Sequence, residues 1–354
     1  MKKKYLHLFI GLVLIAVSVY FAFKGVKISE LTAAFRSVRY FYLIPTMGIV
    51  LISYVLRAMR WRYLIRPVKD VKTMSLFSPM MVGFMANMLP ARAGEFIRAY
   101  LLSKKESISF SSSFATIFIE RLFDLILLLI LLIWVMLFMS EAFSATGETY
   151  QVALIFWTFN FSLYQMVTVF GTLTFFLCLF IFLFSALLQF SNGLAMKIVG
   201  VFIKPFPLKW RERIIGLVKS FTMGLNIIRD KRGFFASILL SVLIWASFIL
   251  TYYPLYLAFG IGGQLPVVSS LVILCVTVAV FITLMPTPGF FGSYFLGCIA
   301  ALYGIFGIQK SVALSYGIVA WLVGMGSTVL IGSIFAIREH VSFSEVAAEE
   351  DKLE

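Results

Sequence analysis

Charged residues are scarce in this sequence. Asp, Glu, Lys and Arg make up 13% of its 354 residues, about half of the ~25% that is usual in soluble domains. Hydrophobic residues make up 61%, against a usual ~45–50%. A chain with so few polar residues cannot cover the surface of a water-soluble particle of this size. The composition therefore excludes a soluble enzyme and a disordered chain, and it indicates a membrane protein with several spans.

Cysteine and histidine are also rare, which removes several kinds of site. The three cysteines, Cys178, Cys275 and Cys298, lie within apolar runs and form no C-x-x-C pair. The two histidines, His7 and His340, lie near opposite ends of the chain. We therefore expect no disulfide framework, no metal site and no His-dependent hydrolase. A GxxxxGK[ST] phosphate loop is absent as well, so no cofactor is expected.

Acidic residues are outnumbered, with 16 Asp and Glu against 30 Lys and Arg, so the net charge is +14. The basic residues concentrate between the apolar runs, at 2–4, 57–72 and 197–232. Cytoplasmic loops of membrane proteins show this excess, where it also suits anionic lipid headgroups. The charge therefore indicates membrane topology, and no nucleic-acid partner is expected.

The fold class follows from the long apolar runs, because about 20 apolar residues span the hydrocarbon core. Eight runs qualify, at 5–23, 40–58, 115–139, 165–188, 234–259, 266–285, 291–308 and 312–336. We expect an all-α polytopic integral membrane protein with about eight transmembrane helices. One domain, 1–340, would comprise halves 1–190 and 191–340, followed by a short charged tail, 341–354.

A ninth apolar run, 74–90, is shorter and ends in a proline. Basic segments flank it, at 57–72 and 92–105, and they would lie on opposite sides if the run crossed the membrane. A re-entrant or broken helix keeps both segments and both termini cytoplasmic and leaves the acidic loop 140–150 outside. A further segment, 210–228, has the apolar periodicity of an amphipathic helix in the interface.

Four groups of residues are candidates for a substrate site, since ionisable groups and helix breaks within membrane segments suggest function. They are Arg60 and Arg62, beside Arg57 and Trp61; Asn87, Pro90, Arg92, Gly94, Glu95 and Arg98; Glu120, Arg121 and Asp124; and Pro286, Pro288, Gly289 and Gly292. Structural interpretations stay open for each group: arginines that snorkel to the interface, a sealed kink, or ion pairs that only fix the packing.

Spacing predicts an ion network between the second and third groups. Arg92, Glu95 and Arg98 are three residues apart and share a helix face. Glu120 and Asp124 also share a face and would repel each other without cations between them. We therefore expect Arg92 and Arg98 to pair with Glu120 and Asp124. Arginines beside free backbone amides at a helix start would also suit a phosphate group.

The same residues carry a resemblance to a known family. The chain contains Asn87-x-x-Pro90-x-Arg92-x-Gly94-Glu95-x-x-Arg98 and, further on, Glu120-Arg121-x-x-Asp124. This pattern resembles the transmembrane flippase-like domain of lysylphosphatidylglycerol synthases, and the resemblance covers about 5–336. The family's RW and PxPGGxG elements correspond to Arg60-Trp61-Arg62 and Pro286-x-Pro288-Gly289-x-x-Gly292.

Two positions depart from the family pattern. The second glycine of the double glycine is Phe290, and the Glu that usually follows is replaced near Tyr294. No soluble aminoacyl-transfer domain is recognisable after the resembling region, so the resemblance implies a stand-alone member.

The function that the resemblance implies is a flippase-like lipid translocase in the cytoplasmic (inner) membrane. Its partners would be membrane lipids, either an anionic phospholipid or a polyprenyl-phosphate-linked lipid, and it would be able to form homo-oligomers. A membrane enzyme or an accessory subunit in lipid-linked glycan or aminoacyl-lipid synthesis stays open as the alternative. The absence of a catalytic motif favours the transporter.

Overall fold

The fold is that of a computed structural model. It describes residues 2–88, 94–138, 149–154, 157–162 and 230–339, with a few single positions between 169 and 215. Outside the described residues, apart from such single positions, lie Pro90, Arg92, the predicted span 165–188, the predicted interfacial helix 210–228 and the tail 341–354.

The described residues form ten α-helices and one β-hairpin. The helices are α1 (Lys2–Phe23), α2 (Ile28–Arg36), α3 (Leu43–Ile65), α4 (Thr73–Ala86), α5 (Gly94–Glu106), α6 (Phe110–Phe138), α7 (Lys231–Ala258), α8 (Val267–Leu284), α9 (Ser293–Ile299) and α10 (Lys310–Arg338). Short 3₁₀ turns occur at Tyr40–Tyr42 and Pro288–Phe290, and a π-helical turn, Ala300–Ile305, continues α9. The hairpin pairs β1 (Thr149–Leu154) with β2 (Trp157–Ser162) in antiparallel register. The all-α class is confirmed, and this hairpin begins at the end of the predicted external loop.

Within the described residues, five helical segments are long and apolar enough to cross a membrane. They are Tyr40–Ile65, α7, α8, Pro288–Ile305 and α10. Each coincides with a span predicted from the sequence. The predicted first span, 5–23, coincides with α1, and an 83° bend separates this helix from α2. The chain is therefore a multi-pass membrane protein.

Helices α4 and α5 form a re-entrant hairpin. Lys69, before α4, lies 3.1 Å from the carboxylate of Glu106, which ends α5. Both outer ends therefore lie on one side, as the loop charges predicted. Close packing holds the two helices together, because a Cβ on Gly94 would lie 2.0 Å from the carbonyl oxygen of Gly83. Only glycine fits at this crossing.

The core has two unlike parts. One packs α8, α9 and α10 with α7 and is built of aliphatic and aromatic side chains. The other packs α3, α4, α5 and α6, and it contains Arg60 and Arg98 among the largest fully buried side chains. Charged residues are almost never fully buried unless they are paired, so the partners of these two arginines define the site.

Candidate functional site

A cavity of about 600 Å³ lies between α3, α4, α6, α7, α8 and α10. Most of its lining is apolar. Its charged lining residues come from the first half of the chain and its tyrosines mainly from the second: Arg57, Glu95, Arg121, Asp124, Tyr54, Tyr252 and Tyr294. Ligand sites in proteins have this composition, a mostly apolar wall with a few convergent polar groups.

The first ion pair behind the cavity wall joins α5 to α6. Arg98 donates from Nη1 to Glu120 Oε1 at 3.0 Å and from Nη2 to Oε2 at 2.7 Å. The guanidinium lies 3.7 Å from the ring centroid of Trp61, whose indole N–H donates to Thr116 at 2.9 Å. This two-point geometry is the strong form of an arginine–carboxylate contact. The predicted contact between Arg98 and Glu120 is therefore present.

The second ion pair joins α3 to α6. Arg60 donates from Nη1 to Asp124 Oδ1 at 2.7 Å and from Nη2 to Oδ2 at 3.2 Å. It also lies 3.4 Å from Glu120 and donates to Ser241 of α7 at 2.9 Å. Its side chain is 0% exposed. Arg60 therefore does not snorkel to the interface, and it connects three helices.

The expectation that Arg98 pairs with Asp124 is wrong. Arg98 donates from both terminal nitrogens to Glu120, which lies one turn before Asp124 on α6. Asp124 is instead contacted by Arg60 of α3. Arg92, the other predicted partner, is outside the described residues. Arg62 of the same group lies apart from the cavity, half exposed and 3.6 Å from Asp70.

Arg121 separates the two acids of α6 and ties them to the re-entrant hairpin. It lies 2.8 Å from Glu120, 3.4 Å from Asp124 and 3.3 Å from Glu95 of α5. A cation in this position removes the repulsion expected between like charges four residues apart.

The two predicted helix breaks meet at the cavity. Asn87 accepts from the N–H of Gly94 through its side chain at 3.0 Å, which caps α5. Its carbonyl accepts from the N–H of Gly289 at 3.4 Å. Gly289 has a φ of +58°, and a Cβ there would lie 2.7 Å from the sulfur of Met88. Glycine therefore avoids both backbone strain and a displacement of Met88 at this contact between the two halves.

The rest of the second break faces away from the charged residues. Pro288 packs on Gly11, Gly292 packs on Ser18, and both contacts are with α1. Pro286 is exposed. The residues from this part of the chain that line the cavity are Phe290 and Tyr294. The structure thus separates Pro286, Pro288 and Gly292 from the other candidate residues.

The sequence analysis placed Arg57 beside the first candidate group without counting it as a site residue, and it gave Trp245 no role, yet both line the cavity. The available signal for Arg57 was its spacing of three residues from Arg60, which places both on one face of α3. No comparable signal existed for Trp245. Among the described residues, no group of three or more His, Cys, Asp or Glu side chains is arranged to hold a metal ion.

The chain belongs to the lysylphosphatidylglycerol synthase TM region family, whose model matches residues 8–332. A UPF0104 membrane protein of Methanothermobacter thermautotrophicus is 27% identical over 80% of this chain and 79% of its own length. A UPF0104 membrane protein of Pyrococcus horikoshii is 23% identical over 95% of this chain and 97% of its own length.

A third relative is longer than the chain. It is the glycosyltransferase AglD of Haloferax volcanii, 22% identical over 82% of this chain and 48% of its own length. No solved structure matches the chain.

Proposed function

We propose, from this family membership, that the protein moves a phosphate-bearing lipid headgroup between the leaflets of the cytoplasmic membrane. The headgroup would pass through the cavity, while the acyl or prenyl tails stay in the bilayer. An anionic phospholipid or a polyprenyl-phosphate-linked lipid would be the cargo.

The observation that carries this proposal is the buried ion network on one side of an otherwise apolar cavity. Polar groups without hydrogen bonds cost several kcal/mol each inside hydrocarbon. Arg121, Glu95 and Asp124 line the cavity and offer both donors and acceptors at the depth where a crossing headgroup loses its water. Intramembrane charges of this kind mark substrate pathways by default.

The cavity size supports the same proposal. Its volume of about 600 Å³ lies within the range of ~300–1,000 Å³ that is typical of small-molecule sites. A headgroup fits such a volume, whereas a whole lipid with two tails does not, so the tails are expected to remain outside.

The test is leaflet exchange in proteoliposomes. Purified protein is reconstituted with fluorescent phosphatidylglycerol or a fluorescent polyprenyl phosphate, and a membrane-impermeant quencher reports the outer leaflet over time. We expect protein-dependent exchange of at least one of the two lipids. Vesicles holding an equal amount of an unrelated multi-pass protein serve as the control. Equal rates in both preparations, for both lipids, would contradict the proposal.

A second candidate function is supported by the relative named a glycosyltransferase, since this chain covers 48% of it. Under this alternative the protein is an enzyme or an accessory subunit in lipid-linked glycan or aminoacyl-lipid synthesis. Incubation of the purified protein with polyprenyl phosphate and a radiolabelled sugar or aminoacyl donor separates the two functions. A labelled lipid would favour the alternative, and exchange without a labelled lipid favours translocation.

A further inference from the structure

Arg57 differs from the other arginines near the cavity in having no carboxylate partner among the described residues. It lies on α3, one turn before Arg60, and lines the cavity. Its guanidinium carbon lies 4.9 Å from the ring centroid of Phe84 and 4.7 Å from that of Phe248. Its Nε is buried without a hydrogen-bond partner. Two aromatic rings therefore hold this cation, and its Nε has no partner among the described residues.

Among the described residues alone, the charges around the cavity do not balance. In the described part of the chain, four arginines and three carboxylates form this region: Arg57, Arg60, Arg98, Arg121, Glu95, Glu120 and Asp124. Three arginines contact the three carboxylates, which leaves the charge of Arg57 as the surplus. An uncompensated charge in an apolar membrane interior is costly. A bound anion with one negative charge restores neutrality.

A second unsatisfied donor lines the same cavity. The indole N–H of Trp245 is buried and has no hydrogen-bond partner among the described residues. Its ring lies 5.9 Å from that of Phe248, the ring that also contacts Arg57. Buried polar groups in proteins are almost always satisfied. Two unsatisfied donors that share a neighbour therefore indicate a ligand with acceptor oxygens.

We infer that Arg57, assisted by Trp245, binds the phosphate of the cargo, and that the site selects a singly charged phosphodiester. Arginine suits this ligand because its planar fork matches phosphate oxygens. A phosphodiester carries one negative charge, whereas a phosphomonoester carries about −1.5 to −2 at pH 7 and would leave a surplus of negative charge. The mostly apolar cavity wall favours a lipid over free phosphate. The inference deepens the proposed function and rests on it for the identity of the cargo.

The test is equilibrium binding of tail-labelled fluorescent phosphatidylglycerol to the full-length protein in a non-ionic detergent. We expect Arg57→Gln to lower the affinity about tenfold or more, since a hydrogen bond to a charged group is lost. Arg57→Lys keeps the charge without the fork, so an intermediate loss is expected. The matched control is Arg62→Gln, which removes a half-exposed arginine five residues further along the same helix and should change the affinity less than about twofold.

Competition with unlabelled compounds tests the charge selectivity. Against the wild-type protein at pH 8, phosphatidylglycerol should compete best, phosphatidic acid less well and diacylglycerol least. Soluble glycerophosphoglycerol should compete weakly because it has no tails. Arg57→Gln should remove the advantage of phosphatidylglycerol over diacylglycerol. Trp245→Phe, which removes the N–H together with part of the indole ring, should reduce affinity by a few fold and can be measured even where Arg57→Gln does not fold.

Three results would overturn the inference: wild-type affinity in both Arg57→Gln and Trp245→Phe, phosphatidic acid competing better than phosphatidylglycerol, or glycerophosphoglycerol competing as well as the lipid. Binding and leaflet exchange are measured separately, so their failures are distinguishable. Arg57-dependent binding without exchange would support the site and contradict translocation. Exchange that is unaffected by Arg57→Gln, with unchanged binding, would contradict the site alone.

Discussion

The two helix breaks of this protein meet at one cavity but are built by opposite means. Around the first break, α3 and α5 are held to α6 by side-chain charges, because Arg60 and Arg98 contact Glu120 and Asp124. The second break is fixed by backbone conformation and apolar packing, with Gly289 at a positive φ against Met88. The charged region of α3, α5 and α6 can therefore bind a charged group, whereas the apolar region of the second break shapes the cavity beside it.

The largest expected effect is the loss of Glu120, on which the charged region depends. Glu120→Gln leaves Arg98 and part of Arg60 uncompensated, which costs about 3–5 kcal/mol for a buried pair. Thermal unfolding in detergent should show a large fall in Tm. The control is Asp70→Asn, whose carboxylate is 71% exposed beside Arg62 and should cost less than about 1 kcal/mol. Similar Tm values for the two variants would show that the network does not stabilise the fold.

A double-mutant cycle sharpens the assignment of partners within the charged region. Asp124→Asn and Arg60→Gln should show a coupling of about 1–3 kcal/mol, because the two side chains share two hydrogen bonds. Asp124→Asn and Arg98→Gln should couple more weakly, since Arg98 contacts Glu120 instead. Denaturant unfolding of the single and double variants measures both couplings. A stronger coupling to Arg98 than to Arg60 would reverse the assignment.

The second region is tested at Phe290, which has a φ of +58° although it is not glycine. A residue with a Cβ pays about 1–2 kcal/mol for this left-handed conformation. Both Phe290→Gly and Phe290→Ala lose the phenyl ring, so their difference reports the backbone strain alone. We therefore expect the glycine variant to be more stable than the alanine variant by about 1 kcal/mol. At positions with a negative φ, a glycine variant is normally less stable than the alanine variant. A less stable glycine variant in thermal unfolding would show that the strain is absent.

The smallest effect is expected at Tyr294, which occupies the cavity wall near the second break. Its hydroxyl donates to that of Tyr252 at 3.4 Å, a long hydrogen bond. Tyr294→Phe should therefore change the free energy of unfolding by less than about 1 kcal/mol. A change larger than that for Arg60→Gln would invalidate the distinction between the two regions.

The sequence predicted the membrane class, five of the spans, the re-entrant hairpin and the contact between Arg98 and Glu120. Hydropathy and loop charge predicted the first three features and the spacing of charged residues predicted the contact, and all of these are local properties of the chain. The partner of Asp124 was not predictable in this way, because Arg60 is distant along the chain and reaches it only when α3 packs beside α6. Helix α2 was missed for a different reason, because its nine residues are too few to register as a span.

The exposed position of Arg62 illustrates the remaining difficulty. Arg60 and Arg62 lie in the same short motif, yet one is fully buried and the other is half exposed. Residues two apart on a helix point in different directions, so only one of them can face the interior. Which one does so depends on the packing of neighbouring helices, and the motif alone does not contain that information.

The central claim, that a headgroup crosses beside the charged region, is tested most directly by leaflet exchange in three variants. Phosphatidylglycerol exchange is measured in proteoliposomes holding equal amounts of folded Arg121→Gln, Tyr294→Phe or Arg62→Gln protein. We expect Arg121→Gln to slow exchange about tenfold, since a charge-assisted contact is worth roughly 1.5–3 kcal/mol. The other two variants should stay within about twofold of the wild type. Wild-type exchange in Arg121→Gln, or a greater loss in Tyr294→Phe, would contradict the claim.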